Sequence, residues 1–271
     1  MAIAQASWLD TREAFDGVAS VYHRANEENP ILCGMRRRVL RALKRATREG
    51  GRILDLGCGP GTDDEVLGRL GYRVTAIDWA PSMVDQARAR IAAAGLSNRV
   101  SVVELGIHEI DRLGGERFDA VYSNFGPLNC VADLPDAARR MAAVLKPGGV
   151  VVASVIGRLC PWELAMYLRR GDTRRATIRF ARGFVAVPLK DQAIWTQYYT
   201  PGEFLRGFTA AGFTRVGLRG LGVLVPPPYA EAFARRHPRW MRLLQRVEDV
   251  AAGWPGVRQF GDHFLIVLRK R

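Results

Sequence analysis

Long hydrophobic runs are missing from this sequence. The longest candidates, such as Val150 to Ile156, have the length of a strand, far short of the roughly 18 residues that a membrane helix requires. The segment Met1 to Phe15 has no basic opening and carries Asp10 and Glu13 where a secretory signal would be apolar. A cytoplasmic location with no membrane partner is therefore expected. Cysteine is sparse: Cys33, Cys58, Cys130 and Cys160 are scattered with no CxxC pair. This excludes a disulfide scaffold and reads as reduced thiols. No His/Cys/Asp grouping has metal-ligand spacing, so no metal is expected. Internal repeats and low-complexity tracts are also lacking.

What remains is an ordinary globular composition. The 271 residues are 48% hydrophobic and 25% charged, which excludes intrinsic disorder and suits one large domain with a sizeable core. Lys plus Arg number 40 against 27 Asp plus Glu, a net charge of +13. Nearly all the basic residues are arginine, in three clusters: Arg36, Arg37, Arg38 and Arg41; Arg169, Arg170, Arg174, Arg175, Arg179 and Arg182; and Arg235, Arg236 and Arg239. Such clusters form either a solvated basic face or an anion-attracting rim.

Periodicity divides the chain. Ser7 to Val21 and Ile31 to Arg48 carry apolar residues at three- and four-residue spacing, a helical cap over residues 1–49. After Gly50-Gly51, strands (Arg52 to Leu56, Tyr72 to Ile77, Val100 to Leu105, Phe118 to Ser123, Val150 to Ile156) alternate with helices through residues 50–156. Such alternation predicts an α/β, doubly wound, Rossmann-like parallel sheet. Residues 157–200 break the rhythm and read as mostly helical. A helix (Pro201 to Ala211) and a strand (Phe213 to Arg219) follow. Residues 222–261, with a helix around Tyr229 to Val250, form a second insertion, and His263 to Leu268 is a last strand.

The most informative segment is Asp55-Leu56-Gly57-Cys58-Gly59-Pro60-Gly61-Thr62. A strand enters a turn where glycines let a ligand lie against bare backbone, and the following helix aims its amides at that space. A dinucleotide site would need glycine where Thr62 stands, and Asp55 would repel a pyrophosphate while complementing an ammonium and a sulfonium. Asp78 ends the next strand, where a carboxylate either accepts both hydroxyls of a ribose or caps the helix that begins at Pro81. Trp79 can lie against a purine, with Met83 one turn on.

These residues, with Phe118-Asp119-Ala120-Val121 and Leu145-Lys146-Pro147-Gly148-Gly149, resemble the class I S-adenosylmethionine-dependent methyltransferase family, of the small-molecule type. The resemblance spans about residues 50 to 156. It implies a seven-stranded sheet whose last strand is antiparallel, and S-adenosyl-L-methionine as cofactor. It also implies that Gly57, Cys58, Gly59, Gly61 and Thr62 flank the methionine moiety, Asp55 its amino group, and Asp78 the ribose. The family often places an acidic residue where Ile107 falls here, so adenine is expected to meet backbone near Ile107, or His108. Asn124 and Phe125, after the fourth strand, are expected to line the junction of cofactor and acceptor.

Acceptors are then held by the segments outside the sheet. Tyr22, His23, Tyr198 and Tyr199 are the candidate catalytic residues, and Trp195 with Phe125 the candidate acceptor contacts. The expected reaction is in-line methyl transfer to an O, N or C nucleophile of a small metabolite. The basic insertions suit an anionic acceptor. RNA methylation is an alternative suggested by the arginines, but no RNA-binding module is appended, which argues against nucleic acid. A second alternative is non-methyl transfer from the same cofactor. The oligomeric state is not legible.

Overall fold

A computed structural model describes residues 9–19, 27–189 and 191–271. Nine strands are described: β1 (Arg52–Leu56), β2 (Arg73–Asp78), β3 (Val100–Glu104), β4 (Phe118–Ser123), β5 (Leu145–Ile156), β6 (Phe184–Leu189), β7 (Gln192–Gln197), β8 (Phe213–Leu221) and β9 (His263–Lys270). Seven form one sheet in the order β3-β2-β1-β4-β5-β9-β8. β9 is antiparallel to both of its neighbours, while β1 to β5 pair in parallel. The expected seven-stranded sheet with its last strand reversed is therefore present, and β1 and β4 lie at the centre, where the chain order reverses. Open α/β sheets bind ligands at such a switch point, beyond the carboxyl ends of the strands.

Strand alternation builds two cores, one on each face. On β5, Val150 and Val152 join one cluster, while Val151, Ala153 and Val155 join the other. Helices α1 (Pro30–Ala46), α2 (Thr62–Arg69) and α3 (Pro81–Ala93) contribute to the first layer. The second takes α4 (Leu134–Val144) and α7 (Pro201–Thr209). Helix α1 starts with Asn29 as a side-chain cap accepting from the Ile31 and Leu32 amides, and with Pro30 in its first turn, both standard start signals.

Two expectations are corrected. The segment 157–200 is not mostly helical: α5 (Pro161–Arg169) and α6 (Thr173–Thr177) are followed by the β6–β7 hairpin. Its strands, FVAVPL and QAIWTQ, are rich in the β-branched residues that favour strands. The helix expected from Tyr229 to Val250 is instead two, α8 (Glu231–Arg236) and α9 (Pro238–Ala251). Pro238 has no amide hydrogen to continue α8, so it opens a new helix.

Glu248 of α9 fixes this second insertion. Its side chain is 1% exposed and accepts hydrogen bonds from the backbone amides of Gly222, Leu224 and Val225. Removing a buried acceptor strands its donors without water. Glu248→Ala should lower the unfolding free energy by about 2–4 kcal/mol, read as a fall in melting temperature. An unchanged melting temperature would refute this role.

Candidate active site

A cavity of about 450 Å³ opens beyond the carboxyl ends of β1, β2 and β4. Its floor is the turn after β1. The Gly57 and Cys58 amides donate to the Ile77 carbonyl at 2.8 and 2.9 Å, tying the turn to β2. Gly57 has φ +73°, and a Cβ there would come within 2.5 Å of Pro127. At Gly59 a Cβ would meet nothing within 4 Å, so this position is bare because the cavity lies over it. Gly61 does not line the cavity. A Cβ there would meet Ala87 at 3.0 Å, so its glycine serves the close packing of α2 against α3.

Four carboxylates surround this turn. Asp78 accepts the Gly59 amide on Oδ2 at 2.8 Å and the Ala80 amide on Oδ1 at 3.0 Å, so both readings of this residue, ligand-facing and capping, apply to its geometry. Burial raises its pKa against the pull of those amides. Asp55, buried at the end of β1, is raised well above the ordinary range by burial and then by Asp64 and Asp63. Asp64 is raised to about 7, chiefly by burial. Asp63 is ion-paired with Arg36 (2.6 Å) and accepts from Tyr122 Oη and Asn124 Nδ2 at 3.0 and 2.8 Å. Helix α2 thus begins with Asp63, Asp64 and Glu65, at the terminus where a dinucleotide would place its phosphates. That charge excludes a pyrophosphate and favours a cationic ligand.

One end of the cavity is lined by Trp79, Met83, Leu105, Gly106, Ile107 and His108. Trp79 meets the His108 ring edge-on, centroids 5.1 Å apart, and a Cβ on Gly106 would come within 2.4 Å of that imidazole. Arg12 donates from Nε to the Trp79 carbonyl at 2.9 Å, and its guanidinium lies 5.6 Å from the Trp79 ring centroid. Thr11, Arg12 and Phe15 close this end. Thr62, also in the wall, donates to Glu27 Oε1 at 2.6 Å. Nothing in the motifs points to Thr11, Arg12 or Phe15: their apolar spacing reads only as a helix.

At the other end stand Asn124, Phe125, Cys130, Ile194, Thr196 and His263. Asn124 is fixed by Asp63 and by Ser154, whose hydroxyl donates to Asn124 Oδ1 at 2.7 Å. Phe125 is the single positive-φ residue other than glycine among the described residues, at φ 61°, a strained backbone of the kind that collects at functional sites. Its ring lies between the Arg36 guanidinium (5.2 Å) and the edge-on His263 ring (6.0 Å). His263 Nδ1 meets Asp262 Oδ2 at 3.0 Å. Asp262 Oδ1 is 2.6 Å from Arg179 Nη2, and Arg179 makes a two-point contact with Glu163 at 2.5 and 3.0 Å. Burial alone would raise the Asp262 pKa, but His263 and Arg179 hold it well below the usual carboxylate range.

Several expected residues lie elsewhere. Tyr22 and His23 are outside the described residues. Tyr198 and Tyr199 are buried but do not line the cavity. Tyr198 packs under the Arg179 guanidinium at 5.2 Å, and Tyr199 lies edge-on to Phe204. Burial pushes both hydroxyls up, that of Tyr198 to about 12. Trp195 is also absent from the lining, whereas its neighbours Ile194 and Thr196 are present. Strand side chains alternate between faces, so Trp195 points away. Sequence reading favours a structural role for His263; only the fold brings it opposite Phe125.

Comparison with known proteins agrees with this geometry. A family profile described as "Methyltransferase domain" matches residues 53–149. The chain is 30% identical over 224 residues to the ubiquinone biosynthesis O-methyltransferase of Methylobacterium nodulans, covering 80% of each. It is 41% identical over 165 residues to the protein of that name from Methylocella silvestris, covering 60% of this chain and 58% of that relative's length. A solved Burkholderia thailandensis 1,6-didemethyltoxoflavin-N1-methyltransferase, with S-adenosylhomocysteine bound, superposes with TM-score 0.59 at 18% identity, covering 97% of this chain and 88% of that one. The chain belongs to the class I S-adenosylmethionine-dependent methyltransferase family, whose cofactor is S-adenosyl-L-methionine. The residues present fit that cofactor. Gly59 leaves room for it, and Asp55 and Asp78 line the cavity with carboxyls that suit an ammonium and a ribose.

Asp55 and Asp64 bind a proton more readily folded than unfolded, where an aspartate titrates near ~3.9. The stability this proton confers is full below that value and is lost as pH rises through about 7, the raised Asp64 value. Asp64→Asn keeps a neutral side chain throughout. Without ligand, melting temperature should fall more steeply from about pH 5 to 8 in the native protein than in this variant. Parallel curves would refute the shared proton.

Proposed function

We propose that the protein methylates a hydroxyl of a small, largely apolar phenolic acceptor, with His263 as the base. The carrying observation is one cavity that joins the carboxylate-lined turn to the Asp262–His263 pair. The O-methyltransferase names of the sequence relatives support oxygen as the accepting atom.

S-adenosyl-L-methionine supplies an electrophilic methyl group on a sulfonium. Asp78 would hold the ribose hydroxyls, Asp55 the amino group, and Trp79, Ile107 and His108 the adenine surroundings. Asn124, held by Asp63 and Ser154, would keep Phe125 against the reacting end. Asp262 fixes the His263 ring with Nδ1–H donated to it, which leaves the Nε2 lone pair to face the cavity. Nε2 would take the proton from the acceptor hydroxyl as that oxygen accepts the methyl group. Arg179, itself held by Glu163, keeps Asp262 ionised and in place.

The arginine clusters give an anionic acceptor little support. Arg36 and Arg12 are the arginines in the lining, and each is paired, with Asp63 and Glu104 respectively. The wall also carries Asp133 and Asp136. A neutral phenol fits this balance better than a phosphorylated metabolite or a nucleic acid.

The test is incubation with S-adenosyl-L-methionine and a panel of phenols and catechols, with and without prenyl side chains. Product should gain one methyl group on oxygen. His263→Gln should lower kcat by ~10²–10⁴-fold while leaving S-adenosylhomocysteine affinity, measured by calorimetry, unchanged. Full turnover in that variant would remove His263 as the base. A product carrying any group other than methyl would overturn the reaction class.

A further inference from the structure

Several arginines of the second insertion take no part in the cavity, and three of them border an apolar surface. Helix α9 has an inner face that is already engaged: Met241 and Glu248 are buried, Arg38 donates from Nη2 to the Gln245 carbonyl at 3.0 Å, and its Nε lies 2.6 Å from Asp249 Oδ1. These contacts fix the rotation of the helix about its axis. They leave Trp240, Leu243, Val247 and Val250 pointing outward, 60%, 50%, 46% and 67% exposed. At 3.6 residues per turn these four fall within an arc of about 80°. Trp254, 58% exposed, stands just past the helix end, so the stripe has an indole near each end.

Burying apolar residues is the ordinary outcome of folding, and scattered exceptions need no account. Four in register on one face of a helix do. Beside the stripe, on the same helix, run Arg239, Arg242 and Arg246, all exposed. None makes an ion pair among the described residues. The acidic residues of α9 do not neutralise them, because Glu248 is buried and Asp249 is paired with Arg38.

We propose that this face of α9 docks the protein on an anionic lipid bilayer, with Trp240, Leu243, Val247 and Val250 in the headgroup boundary and the three arginines against lipid phosphates. A helix with an apolar stripe, flanking arginines and terminal tryptophans matches the physical requirements of a membrane surface. A second copy of the chain fits less well, since it offers the same arginines and no free carboxylate on this face. The lack of a spanning segment, from which no membrane partner is expected, says nothing of a helix lying in the surface plane. No described helix is long and apolar enough to cross a membrane. The proposal is independent of which acceptor the enzyme uses. It gives Arg239, Arg242 and Arg246 an occupant that the cavity does not.

Co-sedimentation of the full chain tests it, with vesicles of phosphatidylcholine alone and of phosphatidylcholine mixed with phosphatidylglycerol. The protein should bind the anionic vesicles, with a blue shift of tryptophan emission, and release with added salt. Leu243→Ser with Val247→Ser should abolish the binding. Each of Arg239→Gln, Arg242→Gln and Arg246→Gln should weaken it about fivefold. All these positions are solvent-exposed, and unchanged S-adenosylhomocysteine binding would show that the variants remain folded. Failure to bind, or equal and salt-insensitive binding to both vesicle types, would overturn the proposal. So would a dimer in solution that the Leu243 and Val247 substitutions dissociate, which would assign the face to a second copy.

Discussion

Burial of carboxylates around a turn without side chains is the constraint on which this site depends. Asp55, Asp63, Asp64 and Asp78 share one small volume where each charge opposes the next. Three features ease that repulsion: burial that raises the Asp55 and Asp64 carboxyls toward their neutral form, the Arg36 guanidinium on Asp63, and backbone amides on Asp78. A cationic ligand complements the charge that remains, and a phosphate adds to it. Specificity for a sulfonium compound over a dinucleotide thus rests on Coulomb repulsion as much as on shape.

The two ends of the cavity are built differently. The floor belongs to β1, β2, β4 and their turns, and is held by hydrogen bonds among backbone atoms. The other end is assembled from distant parts of the chain. Arg36 comes from α1, Phe125 from the turn after β4, Thr196 from the hairpin, and His263 from the start of β9. Its organising contact is the buried Arg179 guanidinium, which joins Glu163 and Asp262 and also donates to the carbonyls of Gly157 and Asp262. That link couples the first insertion to the last strand, so the geometry around His263 depends on residues far away in sequence.

Legibility in the sequence follows the same division. The core strands could be read because each is a short aliphatic run between turn residues, and Arg52–Leu56 and Phe118–Ser123 match the structure at both ends. Asp55, Gly59, Asp78 and Trp79 were recognisable since strand ends and turns carry them in a fixed local pattern. Asp63 and Asp64 stand directly beside that pattern, and what hid their role is that three acids opening a helix are favourable to its dipole anyway. Tyr198 and Tyr199 misled because aromatic clustering marks packing as readily as binding. Trp195 is off by one position on a hairpin, the step that reverses a side chain's face. His263, Asp262 and Arg179 could not be joined from the sequence, since 83 residues separate the last two and only the tertiary fold unites them.

A structure of the protein with S-adenosylhomocysteine tests the central claim most directly. The account predicts its ribose at Asp78, its amino group near Asp55, and its sulfur toward Phe125, with His263 across the space left for the acceptor. A ligand seated away from the Gly57–Gly59 turn, or a sulfur turned from His263, would contradict it.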